Sequence, residues 1–252
     1  MNSFRTKLSD GRPLLGLWQA LACPYTAEIC ARAGLDWLLF DGEHAPNTAQ
    51  TLLAQLQAVA AFPVDAVARV PVGDPIWLKT YLDLGFQTLL VPMVDGADQA
   101  RAIVSATRFP PRGVRGVASA TSRASGFGAN KDYLATAHET VCLIAQIETR
   151  AGFEAAESIA TVDGVDCLFV GPADLAASLG HLGNPAHPDV QAAIDRTLAI
   201  AVAAGKPVGI FATSEEDARR RLGQGFGFVS VGTDIGLLAT AVNQLRSSLT
   251  PT

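Results

Sequence analysis

The chain has 252 residues, 49% hydrophobic and 17% charged, which suits one large core, and its net charge of −5 with no basic run argues against a nucleic-acid partner. No apolar stretch reaches membrane-spanning length, and the first fifteen residues, with Arg5, Lys7, Asp10 and Arg12, hold no secretory signal core. Cys23, Cys30, Cys142 and Cys167 form no CxxC pair, so a reducing, cytoplasmic setting without a disulfide framework is expected.

In chain order, short apolar runs predict strands near 13–19, 35–41, 64–70, 86–92, 141–148, 165–171, 207–211 and 227–232. Ala/Leu-rich helical patterns fall between them at 24–33, 47–60, 75–84, 96–107, 150–160, 188–204, 214–222 and 235–248. Pro24, Pro75 and Pro188 sit where a first turn tolerates a missing N–H. Asn47 and Ser214 are N-cap types, the latter with Asp217 three residues on. Gly34, Gly85 and Gly205 suit helix ends. Strands alternating with helices predict βαβ units, and a barrel of eight such units needs ~250 residues. The expected architecture is therefore a single (β/α)8 TIM-barrel domain over 1–252. Two connections, 108–130 and 172–187, exceed simple turns and read as lids or binding loops.

Three strands end in polar clusters, the end where α/β barrels place their chemistry. The run Leu38-Leu39-Phe40 leads into Asp41-Gly42-Glu43-His44, the run 141–147 into Glu148, and the run 165–171 into Pro172-Ala173-Asp174. Side-chain alternation puts Gln146 and Glu148 on one face. Asp174 follows the neighbouring strand, so the two carboxylates could share Mg²⁺ or Mn²⁺, or each could simply cap its own helix or turn. Arg69 ends strand three and is costly to bury without an anion, which leaves a structural ion pair or an oxyanion clamp. Asp41 stands three residues before His44 and could orient its imidazole. Trp18 and Phe211 end strands one and seven and read as pocket wall. His138, His181 and His187 read as structural.

Other signals fail. Gly223-Gln224-Gly225-Phe226-Gly227-Phe228 puts Phe228 at the third glycine position and precedes a strand, so it is no dinucleotide loop. Of Lys7, Lys79, Lys131 and Lys206, none suits a Schiff base, and no organic cofactor is expected.

Together these pieces resemble the HpcH/HpaI aldolase family, the class II pyruvate aldolases. The matching segments are Leu39–His44, Val67–Val70, Pro110–Gly116, Gln146–Thr149, Phe169–Leu175 and the stretch from Ser178-Leu179-Gly180 to His187-Pro188, and the resemblance covers about residues 4 to 245 in order and spacing. The most similar members act on 4-hydroxy-2-oxo-heptanedioate or 2-keto-3-deoxy sugar acids. The resemblance implies a divalent metal (Mg²⁺, Mn²⁺ or Co²⁺) on Glu148 and Asp174, with Gln146 close by. It implies pyruvate chelating that metal, its carboxylate also meeting backbone amides near Gly171, Pro172, Ala173 and Asp174. It makes Arg69 the catalytic arginine, His44 with Asp41 the acid–base pair, and Asp83 a residue reaching a neighbouring subunit's site. It also implies a homohexamer built as a dimer of trimers, with C-terminal helices exchanged between subunits.

The expected reaction is metal-dependent retro-aldol cleavage of a 4-hydroxy-2-oxo acid to pyruvate and an aldehyde. An alternative keeps the fold and acts on a CoA thioester, as citrate-lyase-type or malyl-CoA-type lyases do, with Arg112, Arg115 and Arg123 as phosphate anchors. A third reading is a non-catalytic metabolite-binding barrel.

Overall fold

Eight parallel strands pair in chain order and close on themselves: β1 (Leu14–Gln19), β2 (Trp37–Asp41), β3 (Asp65–Arg69), β4 (Thr88–Val91), β5 (Cys142–Ile147), β6 (Cys167–Val170), β7 (Val208–Phe211) and β8 (Phe228–Thr233). The protein is thus a TIM-type (β/α)8 barrel, seen here in a computed structural model that describes residues 1–250. Most strand residues are buried on both faces, which is why the strands read as apolar runs instead of alternations. One set of side chains fills the barrel interior: Leu14, Trp18, Trp37, Leu39, Val67, Leu90, Cys142, Ile144, Cys167, Phe169 and Phe228. The alternate set, including Leu38, Phe40, Ala68 and Leu89, packs against the surrounding helices. Cys142 and Cys167 are both buried in the interior, where a thiol acts as a small apolar group.

The outer helices are α2 (Pro24–Ala31), α3 (Ala49–Val59), α4 (Pro75–Leu84), α5 (Ala97–Thr107), α10 (Pro188–Ala203), α11 (Glu215–Gln224) and α12 (Asp234–Leu249), with two short helices, α7 (Arg150–Glu154) and α8 (Ala156–Ala160), where one was expected. Ser214 caps α11 as its type predicts, accepting from the Asp217 N–H at 3.1 Å. The cap of α3 is Thr48, in a reciprocal box with Thr51, and Asn47 instead donates to the Asp41 carbonyl at 2.7 Å. Gly85 ends α4 with φ +107°, a left-handed conformation that a Cβ would strain.

Three helices lie outside the sequence reading. α1 (Ser3–Ser9) plugs the N-terminal end of the barrel, with Phe4 edge-on to Phe228 at 5.3 Å and to Trp37 at 6.2 Å. α6 (Tyr133–Thr140) follows the first long connection, which itself holds a single 3-10 turn at Arg123–Ser125. α9 (Pro172–Ser178) occupies the start of the second, read above as loop. No helix of the described residues is long and apolar enough to cross a membrane.

Candidate active site

The C-terminal end of the barrel gathers charged groups from the ends of β2, β3, β5 and β6. Asp41 and Arg69 are register partners on β2 and β3, both pointing inward, and both are nearly fully buried. The Arg69 Nε donates to Asp41 Oδ1 at 2.9 Å and Nη2 to Oδ2 at 2.8 Å, a bidentate fork. The Glu43 Oε2 lies 2.8 Å from Nη1 in an ion pair off the N–H axis, since that oxygen accepts no hydrogen bond. The guanidinium also sits 4.3 Å from the Trp18 ring centroid. At such a desolvated site this cation–π contact is worth up to ~2 kcal/mol. Trp18 packs edge-on against half-buried Phe211 at 5.3 Å, so both aromatics wall the mouth, and the Trp18 Nε1 is buried there without an acceptor.

Glu148 sits one residue past β5 and is 1% exposed. Its oxygens accept from the Met93 N–H at 2.9 Å and the Gln146 Nε2 at 2.5 Å. Met93 holds φ +53°, and that left-handed turn after β4 directs its amide at the carboxylate. Glu148 is not a helix cap, because the Thr149 hydroxyl takes that role by accepting from the Gly152 N–H at 2.8 Å. Gly171 is the reason the group fits: a Cβ there would stand 2.6 Å from Glu148 Oε2 and 2.8 Å from Gln146 Nε2. Asp174 lies in the first turn of α9, at the end of β6, and is half-buried.

The electrostatics are those of a site short of positive charge. Burial pushes Glu148 up to about 7, and the Glu43 and Asp174 carboxylates push it the same way, against the Met93 N–H and Arg69. Burial likewise raises Glu43, against the pull of Arg69. Burial alone would raise Asp41 too, but its bonds from Arg69 outweigh this and hold it below the usual carboxylate range. Glu43, Glu148 and Asp174 thus stand close enough to repel one another, and the charge of the one guanidinium beside them is largely answered by Asp41. A dication bound by Glu148 and Asp174 would remove that repulsion, and the buried Gln146 Oε1, which accepts no hydrogen bond, stands ready as a further neutral oxygen. The residues present therefore fit a hard divalent metal.

Other expected residues fall differently. His44 is at the mouth with a 65% exposed side chain, but its imidazole is not held by Asp41. Asp41 accepts instead from the backbone N–H of Glu43 and His44, at 3.0 and 3.4 Å, and the nearest carboxylate to the ring is Glu43, 3.9 Å from Nε2. Of the amides around the start of α9, the Gly171 N–H is spent on the Ile147 carbonyl and Pro172 has none, which leaves Ala173 and Asp174. Asp83 is not brought to this chain's own mouth. It stands near the C-terminal end of α4, where Arg115 donates to it at 2.6 Å. Arg115 is buried and bonded to the Tyr133 hydroxyl as well, Arg123 donates to the Leu84 carbonyl, and Arg112 contacts His138. The arginines considered as coenzyme anchors are thus engaged in fastening the 108–130 segment. Glu43, part of the polar cluster that ends β2, pairs with Arg69, and Met93 joins the site unforeseen.

A model of the family described as HpcH/HpaI aldolase/citrate lyase matches residues 14–241. The chain belongs to this family. It is 57% identical to the hydroxypyruvate/pyruvate aldolase of Deinococcus radiodurans, covering 98% of this chain and 89% of that protein. It is 51% identical to a 4-hydroxy-2-oxo-heptane-1,7-dioate aldolase of Escherichia coli, covering 98% and 94%. Among solved structures, an HpcH/HpaI aldolase/citrate lyase family protein from Burkholderia cenocepacia superposes with a TM-score of 0.96 at 45% identity, covering 99% of both chains.

Proposed function

We propose that this barrel mouth cleaves 4-hydroxy-2-oxo acids reversibly into pyruvate and an aldehyde, with a divalent metal held by Glu148 and Asp174. The enzyme is a carbon–carbon lyase of the aldolase class. The observation that carries the site assignment is the gathering of Glu43, Glu148 and Asp174 at one barrel mouth, where burial and the two neighbouring carboxylates push Glu148 up to about 7. The oxygen-rich donor set favours Mg²⁺ or Mn²⁺, with Co²⁺ a workable substitute.

When bound, the metal supplies Lewis acidity that acidifies the protons next to the 2-oxo group. Arg69 keeps N–H donors beyond those forked onto Asp41, and they stabilise the negative charge developing on the 2-oxo oxygen. Asp41 and Glu43 fix the guanidinium plane, so little reorganisation accompanies that charge. The Ala173 and Asp174 N–H groups receive the substrate carboxylate at the start of α9, and Trp18 and Phe211 exclude water beside it. His44 faces the outer half of the pocket. It takes the 4-hydroxyl proton in cleavage, directly or through a water, and returns it in condensation.

The assembly we propose is a homohexamer that exchanges α12 between subunits. Only Asp234 of α12 is buried, while Ile235, Leu237, Leu238, Val242, Leu245 and Leu249 are exposed, an apolar face the single chain leaves uncovered. Asp83 would then meet the mouth of a neighbouring subunit. A cytoplasmic location goes with pyruvate as a product.

Exchange of pyruvate methyl protons for deuterium, followed by NMR, tests the chemistry without the aldehyde. Exchange is expected with Mn²⁺ or Mg²⁺ and wild-type protein, and none with Glu148→Gln. Absence of exchange in the metal-loaded wild type would rule out enolisation and leave a binding protein.

A further inference from the structure

Among the described residues, a group of three side chains outside the barrel mouth places metal-binding atoms within 4.8 Å of one another: His181, His187 and Asp189. The His181 Nε2 is 3.1 Å from Asp189 Oδ2, and the His187 Nδ1 is 3.6 Å from the same oxygen. Ligands at about 2.0–2.2 Å from a tetrahedral zinc-type ion lie about 3.3 Å apart, so these separations are close to the edges of such a polyhedron. We infer that these residues form a second metal site, for a transition-metal dication of the Zn²⁺, Co²⁺ or Ni²⁺ kind, on the α9–α10 connection.

The backbone holds the ligands ready. Gly180 and Gly183 both take left-handed conformations, at φ +92° and +76°, and turn the chain back on itself. The His181 N–H is bonded to the Ala176 carbonyl at 2.7 Å, the Asn184 N–H to His181 at 2.9 Å, and the His187 N–H to Asn184 at 3.1 Å. These bonds bring two histidines six positions apart into a stack, with ring centroids 3.5 Å apart and planes 14° from parallel. Lone pairs lie in the ring planes, so parallel imidazoles do not aim at one point. A small rotation of each ring splays them onto a shared ion, and side-chain exposures of 23% and 32% leave room for it. His187 then gives up the bond its Nδ1 accepts from the Asp189 N–H. The dipole of α10 opposes a cation at its first turn, and the Asp189 carboxylate in that turn counters it.

Donor chemistry separates this site from the barrel mouth. Two imidazole nitrogens and one carboxylate, with a position open to water, select borderline metals over Mg²⁺. His181 stands three residues beyond the end of α9 opposite Asp174, past ~6 Å of helix. An ion here would staple the end of the helix that carries Asp174 to the start of α10.

The test is metal counting on full-length protein already saturated with Mg²⁺. Dialysed against Zn²⁺ or Co²⁺, the wild type is expected to hold one equivalent per chain more than His181→Gln or Asp189→Asn. Bound Co²⁺ should give the visible ligand-field band of a tetrahedral site in the wild type and in Glu148→Gln, and not in His181→Gln. Zn²⁺ should also raise the melting temperature of the wild type and leave that of His181→Gln unmoved. Both variants keep His187 as the cap of α10 and alter partly exposed side chains, so the fold survives them. Equal uptake by the wild type and both variants, or no extra uptake by the wild type, overturns the site.

Discussion

Arg69 and Asp41 stand side by side across β2 and β3, and the guanidinium forks the carboxylate at 2.9 and 2.8 Å inside the barrel mouth. Asp41 fixes the plane of the arginine, and on the proposed reading the donors it does not use stabilise the developing oxyanion.

Replacing Arg69 by Ala should therefore have two separable effects. Loss of an oxyanion donor costs about 10²–10³ in kcat. Stranding the buried Asp41 carboxylate costs about 3–5 kcal/mol of stability. Arg69→Lys keeps the charge without the fork and should recover stability more than turnover. Steady-state cleavage kinetics and urea unfolding, run on both variants, check this. Wild-type turnover in Arg69→Ala would remove the residue from the chemistry.

Asp41 also predicts an acid dependence of stability. Its folded pKa lies below the ordinary value, so its contribution is present above ~3.9, the unfolded value, and is lost as pH falls through the folded one. The difference in unfolding free energy between wild type and Asp41→Asn, measured from pH 7 down to pH 3, should narrow towards the acid end. A gap that stays constant across this range would contradict the shift.

Gly171→Ala should damage the mouth while sparing the fold, because φ is −99° and the strain is purely one of space. The new Cβ has to displace Glu148 and Gln146, and misplacement by about 1 Å costs roughly 10²-fold in activity. Unchanged Mn²⁺ affinity and turnover in this variant would show that Glu148 has no role there.

Charging the bare face of α12, as in Leu238→Asp with Leu245→Asp, should break the assembly. Sedimentation velocity is expected to show a hexamer for the wild type and smaller species for the double variant. A wild-type monomer would refute the exchange of helices.

How much of this was legible in the sequence follows from what each signal encodes. The strands were readable because burial on both faces leaves uninterrupted apolar runs such as Leu38–Phe40 and Leu143–Ala145. α1 escaped because a seven-residue helix with only Phe4 and Leu8 turned inward has almost no periodicity, though Asn2, which accepts from the Arg5 N–H, was its visible cap. α9 is hidden within the 172–187 connection because Pro172 suits a loop and a first helical position equally well. Glu148, Asp174 and Arg69 stood out as charges ending apolar runs. The partner of Asp41 did not, because alternation tells which way a side chain faces and not which strand lies opposite. Local spacing favoured His44, and strand register delivered Arg69. Met93 contributes a backbone amide, which no side-chain pattern announces.

The most direct test is Mn²⁺ binding by calorimetry, with and without pyruvate, for the wild type and for Glu148→Gln with Asp174→Asn. The account predicts one catalytic-site Mn²⁺ per wild-type chain, held more tightly when pyruvate is present, and loss of both the binding and the pyruvate effect in the double variant. A double variant that still binds Mn²⁺ with the pyruvate enhancement intact would contradict it.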